Sequence, residues 1–381
     1  MERIMNKRLF IIILVFLGLF LTGWIYYISS QTREAASINK ISVDWWGSAH
    51  ADVTAEAFTH WNEDDPPLIP PNCAKCHSGP SFIDFIGQDG SAEFSVDAPG
   101  PIERVITCEV CHNEKAHALE NVTFPSGETL KLGEGDAICG TCHSGLTAGT
   151  RVTTVVADYG DDEVIPDASF VTPHYFYAAT TAYGSEAKGG YEYSDKTYAG
   201  KFYHAEGVQT CTECHEPHNL RIQKEYKGEN VNLCATCHSN VTGYPDYKEV
   251  FVDGVDYDAD GIVEGLYHEI QGVQVALYRA IQLYASEVIG SPIIWADQHP
   301  YLFVDSNGNG EVDEDEVRRV NAYSKFTPRL LRAGFNYQFS IEDPGAYIHN
   351  GKYVLQLMYD SIEDLASVVK VTYSDLIRPV E

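Results

Sequence analysis

Every cysteine in the 381-residue chain falls within five copies of one pattern, Cys-x-x-Cys-His. The copies are Cys73-Ala-Lys-Cys76-His77, Cys108-Glu-Val-Cys111-His112, Cys139-Gly-Thr-Cys142-His143, Cys211-Thr-Glu-Cys214-His215 and Cys234-Ala-Thr-Cys237-His238. Two thiols at this spacing can form thioethers to the vinyl groups of a porphyrin. The adjoining imidazole is then set against one face of the iron, which is the pattern of covalent haem attachment. Disulfides would explain an even cysteine count but do not require a histidine after every second cysteine. Zinc sites built from pairs of Cys-x-x-Cys units would leave one of the five over and the histidines unexplained. A redox dithiol needs one motif, not five. Five covalent haems are therefore expected, with His77, His112, His143, His215 and His238 as proximal iron ligands.

The group on the second face of each iron separates electron transfer from catalysis. Met1 and Met5 lie at the N-terminus, so Met358 is the one methionine left to serve five irons, whereas nine histidines lie outside the motifs. Bis-histidine ligation is the expectation for at least four haems. A methionine ligand raises the potential, so its absence places them on the low-potential side. His50 and His60 precede the first motif at a ten-residue separation that suits one short helix. His218 follows His215 by three positions, aimed at a neighbouring iron rather than its own. His174 and His204 occupy the 72-residue interval between the third and fourth motifs. These five are the distal candidates, with His349 in reserve. His117, His268 and His299 are read as surface or structural histidines.

The elements that must position these groups differ along the chain. Motif starts are separated by 35, 31, 72 and 23 residues, a grouping of three and then two. Intervening segments such as 62–72 and 84–101 are rich in Gly, Pro and Asp and read as loops and short helices. The haems themselves are expected to form much of the core there, with the frequent tyrosines between Tyr175 and Tyr203 packed against porphyrin faces. Beyond residue 240 helical periodicity strengthens: 265–289 is amphipathic, with Leu266, Ile270, Val273, Leu277 and Ile281 on one face, and 314–339 and 353–369 follow. The fold class is mainly α with much irregular structure. Its organisation reads as an N-terminal segment 1–30, a pentahaem region 31–240 and a helical, haem-free region 241–381.

Within that last region, Asp305-Ser-Asn307-Gly-Asn309-Gly310-Glu311-Val-Asp313-Glu-Asp-Glu316 matches the twelve-residue calcium loop of an EF-hand. Oxygen ligands fall at positions one, three, five, nine and twelve. Glycine at six makes the turn, and Glu311 at seven lends its carbonyl. Pro300 leaves little room for an entering helix, so an isolated loop is expected. A weaker loop has Asp256, Asp258, Asp260, Gly261 and Glu264, but Tyr267 stands where a bidentate acid belongs.

Residues 9–28 carry no charge and follow Arg3, Lys7 and Arg8. Twenty residues at about 1.5 Å rise can just span a bilayer core, with the basic flank inside. An uncleaved anchor is favoured over a cleaved signal, since no clean small-residue exit follows. The remainder is then exported, to the outer face of the cytoplasmic membrane, the periplasm or the cell surface. The net charge of −29 repels nucleic acid and favours a redox partner with a basic docking surface.

On its five motifs, the chain resembles the multihaem cytochromes c, exported proteins with closely stacked haems. That resemblance implies a multihaem cytochrome c fold. The segment around His50 and His60, and Asp343-Pro-Gly-Ala-Tyr-Ile-His349-Asn350, are more loosely similar to the nitrite reductase and hydroxylamine oxidoreductase branch. The pentahaem nitrite reductases of that branch use Cys-x-x-Cys-Lys at the catalytic haem, and all five motifs here end in histidine. Electron transfer is the expected function. A multihaem oxidoreductase acting on a small nitrogen or sulfur compound at one open haem is the alternative from another class. A homo-oligomer or extracellular cytochrome filament is a structural variant of the first.

Overall fold

A computed structural model describes residues 2–133, 135–204, 208–222, 224–226, 229–231, 234–239, 241, 246–250 and 254–380; the side chains of 2–16, 33–34, 224–226, 229–231 and 236 lie outside the description. The chain divides into two compact units, one of Met1–Phe85, Phe94–Val110 and Glu216–Arg221, the other of Ile86–Glu93, Cys111–His215 and Ile222–Glu381.

In the first unit a 45-residue helix α1, Glu2–Trp46, is followed by short elements. Among the described residues no helix is long and apolar enough to cross a membrane. The anchor expected at 9–28 falls partly on residues 9–16, whose side chains lie outside the description. Helices α2, Pro71–His77, and α3, Gly79–Phe85, pack on a two-stranded ladder in which β1, Leu68–Ile69, pairs with β2, Gly100–Pro101. Ile69, Ala74 and Phe82 close this small core. The single helix expected across His50 and His60 is instead two separate turns, Ala49–Ala51 and Glu56–Thr59. The cause is local: Asp52 Oδ1 accepts from the backbone amide of Thr54 at 3.0 Å and from its hydroxyl at 2.7 Å. That Asx turn competes with the helix.

Helix α4, Cys108–Cys111, carries the second motif. In the second unit come α5, Asp136–Cys142, α6, Gly149–Val156, and α7, Cys211–Cys214. The main core is then built by α8, Leu266–Tyr284, α9, Pro328–Glu342, and α10, Gly351–Ala366. In α8 the buried positions are Leu266, Glu269, Ile270, Val273, Leu277, Ala280, Ile281 and Tyr284, steps of three and four that put one face inward. A single π turn, Ala285–Ile289, extends it to the expected end. The core draws on both sides of position 240, since Val152, Tyr177 and Tyr198 pack with Phe339, Tyr353 and Leu357. Each such side chain contributes about 1.5–3 kcal/mol on burial.

The helix expected over 314–339 begins only at Pro328. Thr327 caps it by accepting from the Leu330 amide at 3.2 Å, and proline suits the first turn because its missing N–H has no helical partner there. Upstream, Ala322 bridges Phe303 and Tyr323 N bonds Leu302 O at 2.9 Å, so the chain runs beside the strand Leu302–Val304 instead of coiling. Helix α9 is buried almost all round, so its polar side chains need partners. Arg329 donates to Asp162 at 2.8 Å and to Asp364, and Arg332 donates to Asp161 at 2.8 Å and Asp364 at 3.0 Å.

At the end of α9, burial pushes the Glu342 carboxyl up to about 7, with Asp297 adding repulsion and the Gln338 hydrogen bond opposing. An acid raised in the folded state binds its proton more tightly there than when unfolded. Stability is then intact below the unfolded value of about 4.3 and falls as pH rises towards 7. Replacing Glu342 by Gln keeps an acceptor for Gln338 and removes the charge. Calorimetry should show a melting point about 2–4 °C higher at pH 8 for the variant, on a scale where 1 kcal/mol shifts a domain of this size by that amount, and no gain at pH 4.

Candidate haem-ligand sites

Each Cys-x-x-Cys-His begins on a helical turn. Residues i, i+3 and i+4 share a helix face, so one turn presents two thiols and the imidazole to the same side. In three motifs the geometry is fixed by the bond from the histidine amide to the first cysteine carbonyl: His143 to Cys139 at 2.9 Å, His215 to Cys211 at 2.8 Å and His238 to Cys234 at 2.7 Å.

Two of the motif imidazoles are held by backbone carbonyls. His77 Nδ1 lies 2.7 Å from the Ala57 carbonyl and His143 Nδ1 2.8 Å from the Phe176 carbonyl. Donation from Nδ1 fixes the tautomer that would present Nε2 to an iron. Burial lowers the His77 pKa, the Ala57 bond opposes this and nearby His60 adds to it; the neutral ring an iron needs is thus favoured.

Two histidine pairs distant in sequence meet in the second unit. His204 and His238 have ring centroids 6.3 Å apart, and His215 and His349 6.4 Å apart. A histidine nitrogen ligates a metal at about 2 Å and lies about 1 Å from its ring centre, so two imidazoles on opposite faces of one iron have centroids about 6 Å apart. His112 and His117 are also 6.0 Å apart, but only five residues separate them, so proximity follows from the chain itself. His117 is exposed and caps no core.

The remaining distal candidates are oriented in a similar way. His60 Nδ1 lies 2.9 Å from Glu56 Oε1, and His218 Nδ1 3.0 Å from Glu216 Oε1, both in the first unit with His50 and His77. His349 Nδ1 lies 2.7 Å from Asp343 Oδ2. Burial works against the His349 imidazolium, but the Asp343 charge and hydrogen bond outweigh it and raise the pKa. The same partner, against burial, holds Asp343 low. His174 lies two residues before Phe176, whose carbonyl orients His143. His268 differs, spending Nε2 on Glu249 at 2.9 Å, which fits a structural role. His299 stacks edge-on against Tyr301.

The 72-residue interval does not hold the third and fourth motifs apart. Cys211 N donates to Asp136 Oδ1, on the helix of the third motif, at 2.9 Å. The intervening tyrosines pack largely into protein: Tyr177 and Tyr198 join the core of α8, α9 and α10, and Arg332 lies over Tyr191 and Tyr193.

The loop at 305–316 has the expected turn. Gly308 and Gly310 donate to the Asp305 carboxylate at 2.6 and 2.8 Å, and Glu316 Oε1 accepts from Ser306 and Asn307 at 2.5 and 3.2 Å. Asp313 Oδ2 accepts from the side chains of Asn307 and Asn309 at 2.7 and 2.9 Å. Glu311 is exposed at position seven, and a strand rather than a helix leads in. In the other loop carboxylate oxygens of Asp256, Asp258 and Asp260 lie within 4.8 Å of one another, and neither Glu264 nor Glu269 is in that group. Burial, with Asp260 and Glu269 adding repulsion, pushes Asp258 up to about 6.

Comparison with known proteins agrees with the motif geometry. Residues 204–243 match the family described as a doubled CXXCH motif, a stretch that starts at His204 and contains the fourth and fifth motifs. This supports a multihaem c-type cytochrome. The chain is similar to the C-type polyheme cytochrome OmcB of Geobacter sulfurreducens, in two strains, at 26% identity over 373 residues. It is also similar to OmcC of that organism, at 24% over 374 residues. The alignments take in 82% of this chain and 46% and 45% of those proteins. The chain thus spans about half the length of the curated relatives it matches. No solved structure matches it.

Asp136 is 5% exposed, and its bond to the Cys211 amide ties the third motif to the fourth. Replacing Asp136 by Ala leaves that amide unsatisfied and should cost about 1–3 kcal/mol in denaturant unfolding of the haem-loaded protein. Asp136→Asn, which keeps an acceptor oxygen, should recover most of the loss.

Proposed function

We propose that this chain conducts electrons through five covalently bound haems of low potential, each iron held between two histidines. The observation that carries the reading is the long-range pairing of His204 with His238 and of His215 with His349 at the separation two imidazoles on one iron require. His349 is therefore advanced from reserve to distal ligand of the fourth haem and His204 to that of the fifth. His50, His60, His174 and His218 remain the candidates for the haems of His77, His112 and His143.

Haem iron supplies the one-electron ferric/ferrous couple. The protein fixes spacing and tunes the couple. Its carboxylates do the tuning: Asp343, Glu56 and Glu216 each accept from, and so make more basic, the imidazole they hold. A more basic ligand favours the ferric state and lowers the potential. With every second face filled by histidine, a small substrate has no iron to bind, which favours conduction over catalysis. Residues 9–28 would tether the chain and leave its haems outside the cytoplasm. Its net charge of −29 would dock a basic redox partner. A calcium ion is assigned to the 305–316 loop.

Two measurements test this. The oxidised protein should show low-spin ferric signals only, and the reduced protein should not bind carbon monoxide; a high-spin signal or carbonyl formation in the wild type would refute full bis-histidine ligation. His349→Met and His204→Met should each convert one haem spectrum and raise one potential, and unchanged spectra would remove those residues as ligands. Asp343→Asn should raise the potential of a single haem by up to about 60 mV, the one-electron equivalent of a tenfold change in relative affinity, as read by potentiometric titration.

A further inference from the structure

The two acidic loops fold alike up to their last ligand. At 305–316, Gly310 N donates to Asp305 Oδ2 at 2.8 Å, Asn309 N to Asn307 Oδ1 at 2.9 Å and Glu311 N to Asn309 Oδ1 at 2.7 Å. In the other loop, Gly261 N donates to Asp256 Oδ2 at 3.0 Å, Asp260 N to Asp258 Oδ1 at 3.1 Å and Ile262 N to Asp260 Oδ1 at 2.7 Å. Both sixth-position glycines have positive φ, 77° and 90°, the conformation that only glycine adopts without strain.

At position twelve the sequences part. Glu316 Oε1 clasps the amides of positions two and three. Tyr267, in the corresponding place, offers no carboxylate. The amides of positions two and three, Tyr257 and Asp258, instead donate to Glu269 Oε2 at 2.7 and 3.3 Å, and Glu264 N donates to Glu269 Oε1 at 3.1 Å. Helix α8 starts at Leu266, and helical side chains lean towards the N-terminus. A carboxylate on the fourth helical residue therefore hangs back over the loop that a twelfth-position acid would close. Glu269 is 1% exposed and stands in the apolar stripe of Leu266, Ile270 and Val273, a place where a carboxylate is costly without a counter-charge.

Two further observations point to what binds. Asp256 Oδ1 and Glu316 Oε2 are shielded from solvent with no hydrogen-bond partner, and Glu316 as a whole is 3% exposed. A buried anionic oxygen without a donor is expensive, and among converging oxygens the group that satisfies it is a hard cation. Opposite the loop, α8 carries Gly272, where any Cβ would overlap the Asp258 carboxylate. The helix is thus bare where that ligand lies. Three amides take three of the four lone-pair sites of the Glu269 carboxylate, and the fourth, on Oε1, remains for a metal.

We propose that Glu269 replaces the missing twelfth-position acid and completes a second calcium site with Asp256, Asp258 and Asp260. Ions in the two loops then brace both ends of α8, since Gln282 on its last turns donates to the Gly310 carbonyl at 2.9 Å. This deepens, and rests on, the calcium reading of the 305–316 loop. The test is equilibrium dialysis of the full-length, haem-loaded protein, stripped with chelator, against radiolabelled calcium up to about 1 mM, the range of weak extracellular sites. Wild type should bind two ions. Glu269→Gln and Glu316→Gln should each bind one, at least tenfold weaker binding being read as loss, and the double variant none. Asp260→Ala, at an exposed position, removes that ligand oxygen altogether and should also bind one, and it decides the matter if circular dichroism shows Glu269→Gln to be unfolded. One ion in wild type, lost in Glu316→Gln and kept in Glu269→Gln and Asp260→Ala, overturns the second site and leaves the first. One ion lost in Glu269→Gln and kept in Glu316→Gln overturns the first-loop reading and leaves the second. No binding overturns both.

Discussion

A helical turn can hold two thiols and an imidazole against one cofactor only if the chain leaves the helix directly afterwards, because a further turn would place its next side chains where the porphyrin must lie. Two of the motifs show that constraint directly. Helix α2 stops at His77, with Ser78 extended at φ −148°, and α7 stops before His215, itself extended at ψ 129°. Such brief elements bury little of their own apolar surface, and a short helix is unstable by itself. The rest of the molecule is arranged to hold them.

The support takes two forms. Polar groups orient the candidate histidines: carbonyls of Ala57 and Phe176 behind His77 and His143, and carboxylates behind His60, His218 and His349. Mass comes from α8, α9 and α10, whose core reaches back to Val152, Tyr177 and Tyr198. His349 links the two, since the segment that joins α9 to α10 brings it to His215. The helical C-terminal stretch has no cysteine, and yet it places an imidazole beside a haem-binding motif.

Local patterns were legible where the physics is local. The amphipathic face of α8 and the turn of the 305–316 loop depend on residues a few positions apart, and both appear in the structure as the spacing implies. In place of the helix anticipated over 314–327 the chain makes a turn and the short 3₁₀ segment Arg319–Asn321, and Ala322 and Tyr323 then bond to Phe303 and Leu302, partners some twenty positions away. The break between His50 and His60 came from one short-range competitor, the Asp52 carboxylate, whose signature in Asp-Val-Thr was available to read.

By itself the sequence showed five Cys-x-x-Cys-His copies, the histidine that each would offer to an iron and the shortage of methionine, because the attachment pattern is written within five consecutive residues. Tertiary structure alone decided which distant imidazoles face each other and which carboxylate closes the second acidic loop. His215 and His349 are far apart along the chain, and Glu269 reaches its loop from the fourth residue of α8, two positions beyond Tyr267, where the linear pattern puts the acid. Such encounters depend on how α8, α9 and α10 pack, and no spacing rule along the chain encodes that packing.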